Sequence, residues 1–147
     1  MNADSRNQLE SMAIALHRAP KRAMFDNANW AADIPATPGV YALWDLSSNT
    51  MVYVGETSSL RHRMRDIERS VNHTCRRKLA IRHNLVDASE STLSAMIGKQ
   101  YVLSFLPVPL GRLELEEYLS LRYGATLLNS PGRRLLRGSS YDWVPRA

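Results

Sequence analysis

The chain has 147 residues, the length of one domain, and 44% of them are hydrophobic, enough to bury a core without staples. Lysine and arginine outnumber aspartate and glutamate by 19 to 14, and the net charge of +5 leans toward a polyanionic partner. A single cysteine, Cys75, excludes an intrachain disulfide and a cysteine zinc cluster; no run approaches the roughly 20 apolar residues of a membrane span, and Met1 to Arg6 lack a leader's pattern, so a reducing cytoplasm is the expected compartment.

In chain order, Ser5 to Arg18 reads as an amphipathic helix with Leu9, Met12, Ala13 and Leu16 on one side. Pro20 to Pro38 reads as irregular, with Trp30 as its anchor and Pro35 and Pro38 delivering the chain in extended form to Gly39. Gly39 to Leu43 and Met51 to Gly55 are β-prone runs separated by the turn-rich Asp45-Leu46-Ser47-Ser48-Asn49, which predicts a hairpin. From Leu60 a helix is expected, capped by Thr57 or Ser58, with Leu60, Met64, Ile67 and Val71 as its apolar stripe. After the break at Asn72-His73-Thr74, Cys75 to about Leu85 reads as a second helix. Asp87 to Thr92 is polar, and its continuation through Met96 carries no assignable pattern. Tyr101 to Val108 reads as a strand ended by Pro107 and Pro109, and Arg112 to Tyr123 as a helix opened by Gly111. The expectation is an α+β fold with a small three-stranded sheet flanked by helices, in the order β-β-α-α-β-α after an N-terminal helix. Residues 1–37 form an N-terminal helical extension in this reading, 38–129 a core, and 130–147 a basic tail.

Four arginines, Arg61, Arg63, Arg65 and Arg69, lie beyond the hairpin. At about 100° per residue, Arg63 lies roughly 70° from the middle of the apolar stripe and the other three roughly 90 to 170°. Arg63 alone therefore sits at the stripe's edge, where it can bury its stem and present a charged fork to a phosphate; the bland alternative is four solvated arginines. On the late helix, Glu117 falls between Leu113 and Leu121 and interrupts an apolar stripe, so it must meet an arginine or a cation. Glu114 shares part of that face as a reserve, and Glu116 points elsewhere, into solvent. Tyr41 and Tyr53 sit on adjacent strands, where both phenols can share one side of the sheet. His17, His62 and His83 read as surface residues, whereas His73 lies in a turn from which it can return over the sheet or simply cap a helix.

Between Arg61 and Arg82 there are seven arginines and one lysine against only Asp66 and Glu68. Arg61, Arg65, Arg69, Arg76, Arg77, Lys78 and Arg82 form the candidate phosphate track, extended by Arg133, Arg134 and Arg137.

Gly39-Val40-Tyr41 and Tyr53-Val54-Gly55, with Arg63 ten residues after Tyr53 and Glu117 twelve before Asn129, resemble the ordered motifs of the GIY-YIG nucleases. The resemblance covers about Pro38 to Asn129. It implies a metal-dependent endonuclease that hydrolyses phosphodiester bonds in DNA, RNA not being excluded. Arg63 and a divalent ion, Mg2+ or Mn2+, held by Glu117 would share the charge on the phosphate, and Tyr41 or Tyr53 would orient or activate water. His73 would join the catalytic group, and Asn129 would orient a turn or the phosphate. Glu56, next after Gly55, and Ile67, four after Arg63, depart from patterns common among the relatives. Glu56 would put a negative charge near a phosphate, which keeps open a catalytically inactive nucleic-acid-binding module on the same fold; a regulatory protein with an acidic protein partner is a third reading.

Overall fold

The computed structural model describes residues 2–69, 73–128 and 143–147. Pro38 leads into β2 (Gly39–Asp45), which runs antiparallel to β3 (Thr50–Thr57) as the hairpin pattern predicts. Asp45 closes the connection: its Oδ1 accepts from the Ser47 amide at 2.9 Å and the Ser47 hydroxyl at 2.6 Å, and Asn49 takes the left-handed φ of 53° that the turn requires. Leu43 pairs with Tyr53 and Trp44 with Met51, leaving Val52 as the extra residue of a bulge.

β4 (Tyr101–Pro107) pairs with the other side of β2. The sheet has four strands rather than three, because β1 (Arg22–Ala23) adds to the outer edge of β4 and gives the order β1-β4-β2-β3. Two residues are too few to show alternation. What holds them is Arg22, whose guanidinium bonds both carboxylate oxygens of Asp33 and the carbonyl of Trp30, bracing the loop against β4.

The helices are α1 (Ala3–Arg18), α2 (Leu60–Arg69), α3 (Thr74–Arg82), α4 (Glu90–Gln100) and α5 (Arg112–Arg122). α4 is the element with no sequence assignment. Ser89 caps it by accepting from the Thr92 amide at 3.2 Å, and Leu93 and Ile97 are its buried positions. α2 is capped otherwise than expected. Thr57 Oγ1 accepts from the Ser59 amide at 3.1 Å, ahead of the helix, while the Leu60 and Arg61 amides donate to the carbonyls of Thr37 and Pro35, so the approach loop satisfies two of the helix's first donors.

β2 is buried from Gly39 through Trp44, because both faces of the sheet are covered. On one face Tyr41, Leu43, Val52 and Tyr53 pack with Leu60, Met64 and Ile67 of α2, Leu79 of α3 and Ile97 of α4. On the other, Val40, Ala42, Trp44 and Val54 pack with Leu9, Ala13 and Leu16 of α1 and Leu115, Tyr118 and Leu119 of α5. Trp44 enters that second core with its indole N–H donating to Ser104 Oγ at 2.9 Å. Among the described residues no helix is long and apolar enough to cross a membrane.

Candidate active site

The residues singled out in the hairpin converge on the α2–α3 face of the sheet. Tyr41 pairs with Gly55, and Tyr53 lies diagonally across on the same face, so the two rings come to 6.2 Å at an interplanar angle of 26°. Gly55 is needed for this: a Cβ there would lie 2.4 Å from Cζ and Oη of Tyr41, so the phenol occupies the space a side chain would take. At Gly39 a Cβ would meet Leu60 and the Leu106 carbonyl, so the first glycine lets α2 dock onto the strand ends.

Both phenols are out of water, and both titrate above the usual range. For Tyr41 the main cause is burial, reinforced by Tyr53 and Cys75 and opposed by Arg63, which acts through its charge and as a hydrogen-bond donor. For Tyr53 burial again leads, then Cys75; Arg63 pulls the other way, and Glu116 adds a further upward push. Arg63 is half-buried; burial works against its charge, but Tyr41 and Tyr53 outweigh that and raise its pKa. The predicted edge position of Arg63 is thus its observed one, with Arg65 and Arg69 exposed. Arg61 departs from its expected solvation, being half-buried with Nε donating to the Ile34 carbonyl at 2.7 Å.

His73 has both roles that the turn allowed. Its Nδ1 accepts from the Cys75 amide at 3.2 Å and caps α3, which fixes the proton on Nε2. The ring is buried 6.4 Å from that of Tyr41, and burial, then the Arg63 and Arg76 guanidiniums, hold its pKa down at about 3. It is therefore a neutral imidazole at physiological pH, and its buried Nε2–H has no hydrogen-bond partner among the described residues. Such a group donates; it is not poised to accept a proton.

Glu117 is placed less centrally than its spacing suggested. The buried stripe of α5 is Leu115, Tyr118 and Leu119, and Glu117 lies roughly 150° around the helix from its middle, with Leu113 and Leu121 only half-buried. Its Oε1 is nevertheless shielded from solvent. Glu116, expected in solvent, is half-buried and is the helix carboxylate whose charge reaches the Tyr53 phenol. Helical angle alone misplaced it because α5 packs mainly along β3, at the sheet edge, so its flank as well as its base meets protein. Glu114 is exposed. Among the described residues no three His, Cys, Asp or Glu side chains form a preformed metal cluster. Magnesium is commonly held by one or two carboxylates with water and phosphate oxygens, a mode that the single carboxylate of Glu117 can serve; Glu116, about 100° around the helix from it, lies on the Tyr53 side.

Of the candidate phosphate contacts, Arg65, Arg69, Arg77 and Arg82 are exposed, Arg82 within 3.9 Å of Asp45. Arg76 leaves the track. It is 1% exposed, bonded through Nε to Glu90 at 2.7 Å and through Nη1 to the Ile67 carbonyl at 2.9 Å, and so ties α2, α3 and α4 together. Lys78 is half-buried, donating to the Leu128 carbonyl at 2.9 Å. Asn129, Arg133, Arg134 and Arg137 lie outside the described residues.

Glu56 does not approach the tyrosines. It pairs with Val40 on the opposite sheet face, and its carboxylate accepts from Arg112 Nε at 2.6 Å. Of the other histidines His62 is exposed as expected, whereas His83 is half-buried with Nε2 2.7 Å from the Tyr101 hydroxyl.

No family model matches the chain, and no solved structure matches it. Three curated proteins resemble a segment of it: the UvrABC system protein C of Actinobacillus pleuropneumoniae serotype 5b (strain L20), serotype 3 (strain JL03) and serotype 7 (strain AP76), each 43% identical over 47 residues. The match covers 32% of this chain and 8% of the length of each relative, so the similarity is one of a segment and not of whole proteins.

Proposed function

We propose that this chain is a metal-dependent endonuclease hydrolysing phosphodiester bonds in DNA, with its reaction centre on the α2–α3 face of the sheet. The observation that carries the reading is the convergence of Tyr41, Tyr53 and Arg63 around Gly55, in the spacing that resembles the GIY-YIG nucleases. The segment shared with UvrABC system protein C is consistent with it.

In this mechanism Arg63 takes the charge that develops on the non-bridging phosphate oxygens. Tyr41 fixes the guanidinium, since the two are already coupled, and Tyr53 orients the attacking water beside Glu116. A phenol with a raised pKa serves here by orientation; it could take the water's proton only where Arg63 and a bound cation together outweigh its burial. His73 Nε2–H, neutral, pre-aligned by its cap and without a partner among the described residues, is left to donate a hydrogen bond to the substrate. Glu117 would hold a divalent ion, which supplies Lewis-acid stabilisation of the phosphate and the leaving 3′ oxygen. Arg65, Arg69, Arg77 and Arg82 add affinity that weakens with salt and carries no sequence information.

The test is cleavage of labelled single-stranded, duplex and branched DNA with magnesium, manganese or chelator, comparing wild type with Arg63→Ala, Glu116→Ala and Glu117→Ala. Metal-dependent cutting lost in Arg63→Ala and in at least one glutamate variant supports the reading. A folded wild type that binds DNA and cuts none of the panel overturns it in favour of a binding module.

A further inference from the structure

The opposite face of the molecule carries a row of rings and cations that the reaction centre does not use. Lys21 Nζ lies 4.1 Å over the Trp44 ring, and Trp44 meets His17 edge-on at 5.2 Å. His17 is near-parallel to Tyr123, 9° between planes and 6.4 Å between centroids, and the Arg122 guanidinium stands 5.7 Å over Tyr123. The row thus runs cation, ring, ring, ring, cation across the place where the C-terminal ends of α1 and α5 meet.

Beside it opens a groove of about 460 Å³, bordered by His17, Arg18, Tyr118, Arg122 and Tyr123, with Glu10 as its acidic member. The volume is within the range of small-ligand sites. Tyr118 is buried and forms part of the floor, with Trp44 packed behind His17 outside the groove, whereas His17 is exposed and Tyr123 half-buried, so both rings are reached from the groove. Cations near helix C-termini compensate the helix dipole, which accounts for some of the charge. Dipole compensation does not call for rings, nor for a groove between them. Rings flanked at both ends by positive charge match a ligand whose flat bases are flanked by phosphates.

We propose that this groove is a binding site for single-stranded nucleic acid, with a base stacked on His17 and Tyr123 and the flanking phosphates on Arg18 and Arg122. It rests on the nuclease reading only in its use, which would be to hold an unpaired strand of the substrate while the other sheet face cuts. Glu10 at the rim can accept from an exocyclic amine, favouring bases that carry one.

The experiment measures fluorescence polarisation of labelled 12-nucleotide DNA and RNA of the same mixed sequence, in chelator so that nothing is cut, at two salt concentrations. Wild type should bind at least one of them, and which one assigns the sugar. Combining His17→Ala with Tyr123→Leu should weaken binding at least tenfold, and Arg18→Glu, on an exposed helix end, should weaken it and flatten its salt dependence. Quenching of tryptophan fluorescence on binding, expected from Trp44 beneath His17, should be lost with the rings. Single strands bound with unchanged affinity by the folded double variant and by Arg18→Glu would overturn the proposal, as would failure of wild type to bind either oligonucleotide. Arg63→Ala separates the two claims. Binding lost in the groove variants of a chain that never cuts keeps the groove and removes the nuclease; cutting that needs Arg63, with groove variants binding normally, does the reverse.

Discussion

The two faces of one hairpin do different work. On the α2–α3 face the sheet buries groups that water would normally hold: two phenols, an imidazole at about pKa 3, a thiol pushed up by burial, and an arginine coupled to the phenols. On the α1–α5 face the same strands bury Val40, Ala42 and Val54 against leucines, and the Trp44 indole that enters there is satisfied by Ser104. Desolvated polar groups that oppose one another are costly to maintain and contribute little to stability. The comparison therefore assigns chemistry to the first face and cohesion to the second, and single substitutions on each should dissociate activity from stability.

The largest contrast sets Arg63→Ala against Leu115→Ala. Arg63→Ala should lower the cleavage rate by about 10²–10³, as loss of a charge-stabilising donor does, with a smaller effect on unfolding. Leu115→Ala, at a fully buried position of the second core, should cost about 2–5 kcal/mol in denaturant unfolding and leave the rate per folded molecule unchanged. Equal effects of both variants on rate and stability would dissolve the distinction between faces. Next in size is Gly55→Ala. The new methyl would collide with the Tyr41 phenol, which is 1% exposed and cannot swing into solvent. A loss of about 1–3 kcal/mol is expected, together with a changed near-ultraviolet tyrosine signal and impaired cutting; an unperturbed Tyr41 signal would show that the glycine is not what seats the ring.

His73 makes the first face acid-sensitive. Its folded pKa of about 3 lies below the unfolded value near 6.5, so between these limits the unfolded chain binds the extra proton and stability falls as pH falls. From pH 7 to pH 5 the loss is as much as ~2 kcal/mol, whereas Asp33 and Asp45, both lowered from ordinary carboxylate values, act only at lower pH. His73→Asn keeps an acceptor at the helix cap and removes the titration, so denaturant midpoints at the two pH values should draw together. Midpoints that shift as in wild type would place the acid sensitivity elsewhere.

The range of each interaction decides whether the sequence shows it or hides it. Tyr41, Tyr53 and Arg63 were legible because strand alternation and helical angle are local, and a glycine beside an aromatic marks a close approach. Arg76 was not: it lies in an arginine run that reads as surface, and only Glu90, fourteen residues on and across a loop, makes it interior. β1 was hidden because Arg22 and Ala23 become a strand only through β4, some eighty residues away, and Glu116 because its neighbour is a phenol on β3. α4 had a signal, Leu93, Met96 and Ile97 at helical spacing behind Ser89, but its serines, threonine and Gly98 are weak helix formers and mask it.

The smallest expected effect tests the assignment of faces most cleanly. Glu56 looked damaging in the sequence because it comes directly after Gly55, next to a site that must receive phosphate. Strand alternation turns it to the other side, where Arg112 at the start of α5 meets its carboxylate at 2.6 Å, both side chains being about a quarter to a third exposed. An ion pair so open to water contributes under about 1 kcal/mol. Glu56→Gln keeps the shape and removes the charge, so it should shift the unfolding midpoint slightly and leave cleavage rate and its salt dependence as they are. A rate that rises severalfold would mean that the carboxylate repels the substrate after all, through a sheet that the geometry says should screen it.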